Sequence, residues 1–326
     1  MRHKILKSTF LASIILFMCH YLFAQIPNNE VFDLKTDTIQ ITNTTNFDRS
    51  LGVSCSFGNQ YAVIINGGEN STSNFIWYWN NCAKIYSTLI NKYHFDKSKI
   101  YVIISDGTDP AVDMNPGKFY PLISSPLDLD GDGIDDTQYA ATKSNIAHVF
   151  DTLFTLITNE DNVFIFVTDH GLPGEIYLWD NVIMTDVEFA AEVDKVNAAK
   201  SINIVMAQCF SGSFIPILSG NNRVITTACK ANELSSERIP AKDYDEFVYH
   251  WVSAIDGETP EGTVVNADYN GDGIITMDEA YLYAFTAVQN IHSYQTPQFS
   301  GGDFGNSLSL SSDYCPSIFL WLTIQQ

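Results

Sequence analysis

Basic side chains are scarce in this chain of 326 residues, which carries 17 Lys and Arg against 38 Asp and Glu for a net charge of −21. Such a surface repels polyphosphates and anionic lipid headgroups, which excludes nucleic acid as a partner. Long apolar runs are also lacking. Phe10–Met18 and the C-terminal Ile318–Ile324 both fall short of the ~20 residues that a bilayer span needs. No integral membrane segment is expected once the leader is removed. Cysteines are few, six in all. Apart from Cys19 they are Cys55, Cys82, Cys209, Cys229 and Cys315, an odd set that leaves at least one thiol unpaired in an oxidising compartment. Two disulfides with one free thiol, or several buried reduced cysteines, both satisfy the count.

What is present begins with a leader. Arg2, Lys4 and Lys7 form a basic head, an apolar run follows, and Ala24 offers a cleavage point, so residues 1–24 read as a secretory signal. Bulky Phe17 and Met18 before Cys19 disfavour a lipoprotein anchor, and the expected location is extracellular or periplasmic. Losing the three leader cations lowers the net charge from −21 by three, to −24, which suits a binder of divalent cations. Residues 25–58 are polar and aperiodic, an N-terminal segment. Residues 59–326 contain no repeat and no low-complexity linker, and one domain is expected there.

Within it, short apolar runs alternate with helical periodicity. Strands are expected at Tyr61–Ile65, Ile100–Ile104, Val163–Val167, Ile202–Met206 and Arg223–Thr227, with a small edge strand at Glu175–Trp179. Helices are expected over Ile76–Tyr93, Asn145–Ile157, Val187–Ala199 and Asp278–Asn290. Strands that are apolar throughout imply a mainly parallel sheet covered on both faces, a three-layer α/β/α fold.

Two of these runs end on reactive side chains. Val163–Val167 leads to Thr168-Asp-His170-Gly171, and Ile202–Met206 leads to Gln208-Cys209-Phe-Ser-Gly212. A lone histidine or cysteine is usually structural. Two at the carboxyl ends of parallel strands, where such sheets place their sites, supply a base beside a thiol. Gly171 and Gly212 let the backbone approach a substrate, and amides near such a loop can supply oxyanion donors. Neither Ser211 nor Ser213 lies in a Gly-x-Ser-x-Gly elbow.

Over Tyr61–Ala231 these residues resemble the legumain family of cysteine peptidases, in the caspase-like clan. The resemblance rests on the first strand with its Gly loop, Cys82, the Thr168-Asp-His-Gly171 block and Cys209-Phe-Ser-Gly-Ser213. Val224-Ile-Thr-Thr-Ala228 followed by Ala231-Asn232 adds to it. It implies a caspase-like fold and hydrolysis of peptide or protein substrates, with His170 as base, Cys209 as nucleophile and the amides of Gly171 and Cys209 as oxyanion hole. The family's third catalytic residue, an asparagine after the first strand, has two candidates, Asn66 and Asn70. Ala207, Thr227 and Cys229 fall where the family shapes its substrate pocket. Legumains carry an acidic residue at the Ala207 position to hold asparagine, so asparagine specificity does not carry over. The alternative is a catalytically inactive caspase-like calcium-binding module for protein interaction or surface adhesion.

Two acidic loops point to calcium. Asp268, Asn270, Asp272, the carbonyl of Ile274, Thr276 and Glu279 occupy the ligand positions of a twelve-residue EF-hand-like loop over residues 268–279, with Gly273 at its turn. Asp128, Asp130, Asp132, the carbonyl of Ile134 and Asp136 begin in the same way but place Tyr139 twelfth. Residues 128–136 are expected to form a shorter calcium loop, closed by Asp136.

Overall fold

In the computed structural model residues 58–291 and 294–311 are described; the leader, residues 25–57, Cys55, Cys315 and the run at 318–324 lie outside them. In chain order the elements are β1 (Gln60–Asn66), α1 (Ile76–Asn91), β2 (Ile100–Ile104), α2 (Lys143–Leu156) and β3 (Asn162–Thr168). Next come β4 (Gly171–Leu172), β5 (Glu175–Leu178), β6 (Val182–Thr185), α3 (Asp186–Asp194) and β7 (Ser201–Met206). The series closes with α4 (Ile215–Leu218), β8 (Arg223–Thr227), α5 (Glu246–Asp256), α6 (Met277–Ile291), β9 (Gln298–Ser300) and α7 (Gly302–Gly305).

Six strands form one sheet in the order β2-β1-β3-β7-β8-β9, parallel except for β9 at the edge. Because strand side chains alternate between faces, each strand serves two cores. Ala62, Ile64, Phe164, Phe166, Val205 and Ala207 face one way, with α1, α5 and α6. Val63, Ile65, Val163, Ile165, Ile204 and Met206 face the other, with α2 and α3. Phe164 stacks on Trp251 of α5 at 5.9 Å between ring centres, filling the first core. The expected three-layer fold is therefore what forms.

Two expectations are corrected. Glu175–Leu178 is the middle strand of a separate three-stranded antiparallel sheet, β4-β5-β6, because Val182–Thr185 returns alongside it. The helix expected to reach Ala199 stops at Asp194 and gives way to turns: the amides of Val196, Asn197 and Ala199 bond carbonyls three residues back.

Register fixes the site. Asn66 pairs with Thr168, and Val167 with Met206, so β1, β3 and β7 end level with one another. His170 lies two residues past the end of β3 and Cys209 three past the end of β7, on neighbouring strands.

Candidate active site

The chain leaves β3 through Asp169, whose φ of 121° is unusual for a residue with a side chain. His170 follows, its carbonyl accepting the amide of Tyr177 on β5. After β7 the backbone turns at Phe210, with φ 57°, directly after Cys209. Residues in such rare conformations flank both reactive side chains, a form of strain that concentrates at functional sites.

Gly171 is where the two strand ends meet. A Cβ there would lie 2.6 Å from Gln208 Cγ and 2.7 Å from the carbonyl oxygen of Cys209. Only hydrogen fits, and the residue after His170 thereby packs against the residue that carries the thiol. Gly212 allows a second close approach, to the backbone of Cys229–Ala231. The sequence suggested that these glycines admit substrate; in the structure they admit backbone.

The imidazole of His170 is held from one side. Its Nε2 lies 3.3 Å from the carbonyl oxygen of Ser73 and 3.7 Å from Glu69 Oε2, while Phe75 and Tyr78 pack against the ring. With Nε2–H assigned to Ser73, Nδ1 has no partner among the described residues and carries the lone pair. Neither Asn66 nor Asn70 bonds the ring. Asn66 is buried and donates to Asn74 Oδ1, and Asn70 is half-buried and bonds Thr72 and Asn181. The residue that organises this loop is Asn74, whose amide group donates to Ser105 Oγ and to the Asp113 carbonyl, directly after Ser73.

Cys209 is half-buried and is a free thiol, as are the buried Cys82 and Cys229. Its Sγ lies 3.7 Å from the carbonyl oxygen of Ser235 and 3.5 Å from Ser235 Oγ. Among the described residues the Cys209 amide has no acceptor, whereas the next amide, of Phe210, bonds the Glu233 carbonyl. His170 and Cys209 open into one cavity of about 760 Å³, walled by Phe75, Trp77, Tyr78, Phe119 and Tyr120 and floored by Asp245. Ala207, Thr227 and Cys229 do not line it. Ala207 belongs to the core beneath the sheet, Thr227 donates to the Cys229 carbonyl, and burial pushes the Cys229 thiol up to about 11.

Two carboxyls beside the site are buried, Asp169 and Asp245. Burial drives Asp169 well above the usual carboxylate range, against the pull of the His170 and Glu69 amides, and neither of its oxygens makes a well-formed hydrogen bond. Asp245 is pushed up to about 7, chiefly by burial. Gln208 is buried beside Cys209 with both side-chain polar atoms unpartnered.

The acidic loops lie apart from the described cavity lining. In each, the first aspartate accepts loop amides: Asp128 those of Gly131 and Gly133, Asp268 those of Gly271, Asp272 and Gly273. Among the described residues, the acidic oxygens that converge within 4.8 Å are those of Asp128, Asp130 and Asp136. Lys97 Nζ lies 2.6 Å from Asp130 and 2.7 Å from Asp132. In the other loop Glu279 accepts the amides of Tyr269, Asn270 and Thr276, and Thr276 Oγ1 accepts the Glu279 amide, a capping box that starts α6.

The model of the peptidase C13 family matches residues 60–271, well over half of the chain. No curated protein matches it.

Proposed function

The chain belongs to the peptidase C13 family of cysteine-type peptidases, and from that premise we propose that it is an exported endopeptidase working through His170 and Cys209. The observation that carries this reading is that a base with a free Nδ1 and an unpaired thiol, on adjoining strand ends, open into one cavity.

Cys209 passes its proton to His170 Nδ1, and the thiolate attacks the carbonyl carbon of the scissile peptide bond. Ser73 and Glu69, both on the Nε2 side, hold the ring and stabilise the imidazolium that forms. The oxyanion receives the uncommitted amide of Cys209 together with that of Gly171. Collapse breaks the C–N bond, and the leaving amine takes the proton from His170. The remaining thioester is hydrolysed when His170 deprotonates a water. Strain at Asp169 and Phe210 keeps these groups in place before substrate arrives.

Calcium is read into the loop at 128–136, on the strength of three converging carboxylates and an oxygen-only donor set. When bound it would supply a cross-link between the loop and the chain leading to α2. The loop at 268–279 fits the same ion once Glu279 leaves its capping amides. Export rests on residues 1–24, and no helix among the described residues is long and apolar enough to cross a membrane.

Replacement of Cys209 by Ala is expected to lower kcat/KM on a peptide substrate by about 10³-fold or more, with an unchanged melting temperature. Activity retained in Cys209→Ala would remove the thiol from the mechanism.

A further inference from the structure

The cavity that holds the dyad is lined by a carboxyl group, that of Asp245, whose structural bonds occupy only one of its oxygens. Asp245 stands immediately before helix α5, where an aspartate ordinarily accepts the first helical amides, yet its side chain makes no such bond. It turns inward instead and is 3% exposed. Oδ2 accepts from Asn81 Nδ2 at 2.6 Å and from Thr168 Oγ1 at 3.2 Å. Among the described residues Oδ1 has no hydrogen-bond partner, and Asp245 lines the cavity. Thr168 ends the strand that delivers His170, which ties this carboxyl to the reacting centre by two residues of backbone.

The surroundings select what can meet that oxygen. Tyr78 and Phe75, which pack against the imidazole, line the same cavity as Asp245, and aromatic ring faces attract cations. The other acidic group of the lining, Glu237, is bonded to Lys242 at 2.7 Å, so those charges cancel, and Lys118 lies on the exposed rim. Ala207 contributes no charge. One buried carboxyl with an open oxygen, in a cavity with aromatic walls, complements a side chain that is long, apolar along its stem and positively charged at its tip.

We propose that Asp245 makes this enzyme selective for peptide bonds that follow lysine or arginine. The inference rests on the reading of Cys209 as the nucleophile and adds to it the class of residue accepted on the acyl side. An entering ammonium or guanidinium replaces the missing partner of Oδ1 and draws the carboxyl, otherwise held up to about 7, into its ionised form.

The test uses the whole mature chain and four irreversible peptidyl chloromethyl ketones, alike except for a terminal Arg, Lys, Asn or Leu, with alkylation of Cys209 followed by mass spectrometry. The expected result is capture by the Arg and Lys reagents at least 30-fold faster than by Asn or Leu. In Asp245→Asn, which keeps the acceptor for Asn81 but loses the charge, the advantage of the Arg and Lys reagents over the Leu reagent is expected to collapse to below 3-fold. If Asp245→Asn does not fold, the wild-type ranking alone still decides. Equal capture of all four, or a preference for Asn or Leu, overturns the specificity and leaves the nucleophile standing. Capture of none overturns the nucleophile and, with it, this inference.

Discussion

The carboxyl edge of the sheet and the two acidic loops both gather carboxylates, and they treat them in opposite ways. At the edge, Asp169 and Asp245 are buried, and burial raises both. Asp169 has no well-formed bond at all, and Asp245 keeps one oxygen open. In the loop at 128–136, backbone amides supply Asp128, Asp130 and Asp132, and Lys97 holds Asp132 below its ordinary value. The loops satisfy their charges locally, at little cost. The edge carries unsatisfied polar groups that only the two covering cores keep in place, as expected where binding, rather than stability, is selected.

The contrast is most easily broken at Gly171. Any side chain there must displace Gln208 or the Cys209 carbonyl, since a Cβ would lie within 2.7 Å of both. Moving the histidine strand by even ~1 Å relative to the thiol is enough to cost about 100-fold in rate. Gly171→Ala is therefore expected to lose about 100-fold or more in kcat/KM while far-UV circular dichroism stays native. An active Gly171→Ala protein would show that the two strand ends are not in contact.

The buried edge acids should also mark the pH dependence of stability. Asp245 has a folded value of about 7 against 3.8 for the free side chain, so the fold binds its proton more tightly than the unfolded chain does. Its stabilising contribution is complete below the unfolded value and is lost as the pH rises through about 7. Asp169, raised likewise, acts in the same direction. The wild-type melting temperature should fall on the order of 5 °C more than that of Asp245→Asn between about pH 4 and about pH 8. Parallel curves for the two proteins would mean that Asp245 is ionised and hydrated at the edge, as the loop acids are.

Five of the six central strands were legible in the sequence as short runs rich in apolar and β-branched residues, as strands buried on both faces are. The sixth, Gln298–Ser300, is only three residues long and antiparallel, too short to carry a period. His170 and Cys209 were legible because each ends such a run. Ser73 was not, since it acts through a backbone carbonyl, which every residue has. Nor was Asp245, which in sequence looks like an ordinary helix cap, and whose inward turn depends on Asn81 and Thr168, distant along the chain. Glu279 shows the opposite effect. It completes the twelve-residue calcium pattern, but Thr276-Met-Asp-Glu279 is also a capping box, and the helix claims it.

That competition sets the last comparison, between the loops themselves. The loop at 268–279 matches the calcium template better in sequence, yet the loop at 128–136 brings three acidic side chains together. There a divalent cation must displace the Lys97 ammonium, which bridges Asp130 and Asp132 and lies 3.9 Å from Asp136. Lys97 is more than a third exposed, so its pairs contribute under ~1 kcal/mol to folding. Removing it frees the carboxylates without unfolding the loop. Lys97→Met is expected to tighten calcium binding at 128–136 by about tenfold, the equivalent of ~1.4 kcal/mol of removed competition. Affinity at 268–279 should not change, because the group that must move there is Glu279. Calorimetric titration of both proteins separates the two sites: identical isotherms would mean that Lys97 does not compete with calcium, and loss of binding would mean that the lysine helps to build the site.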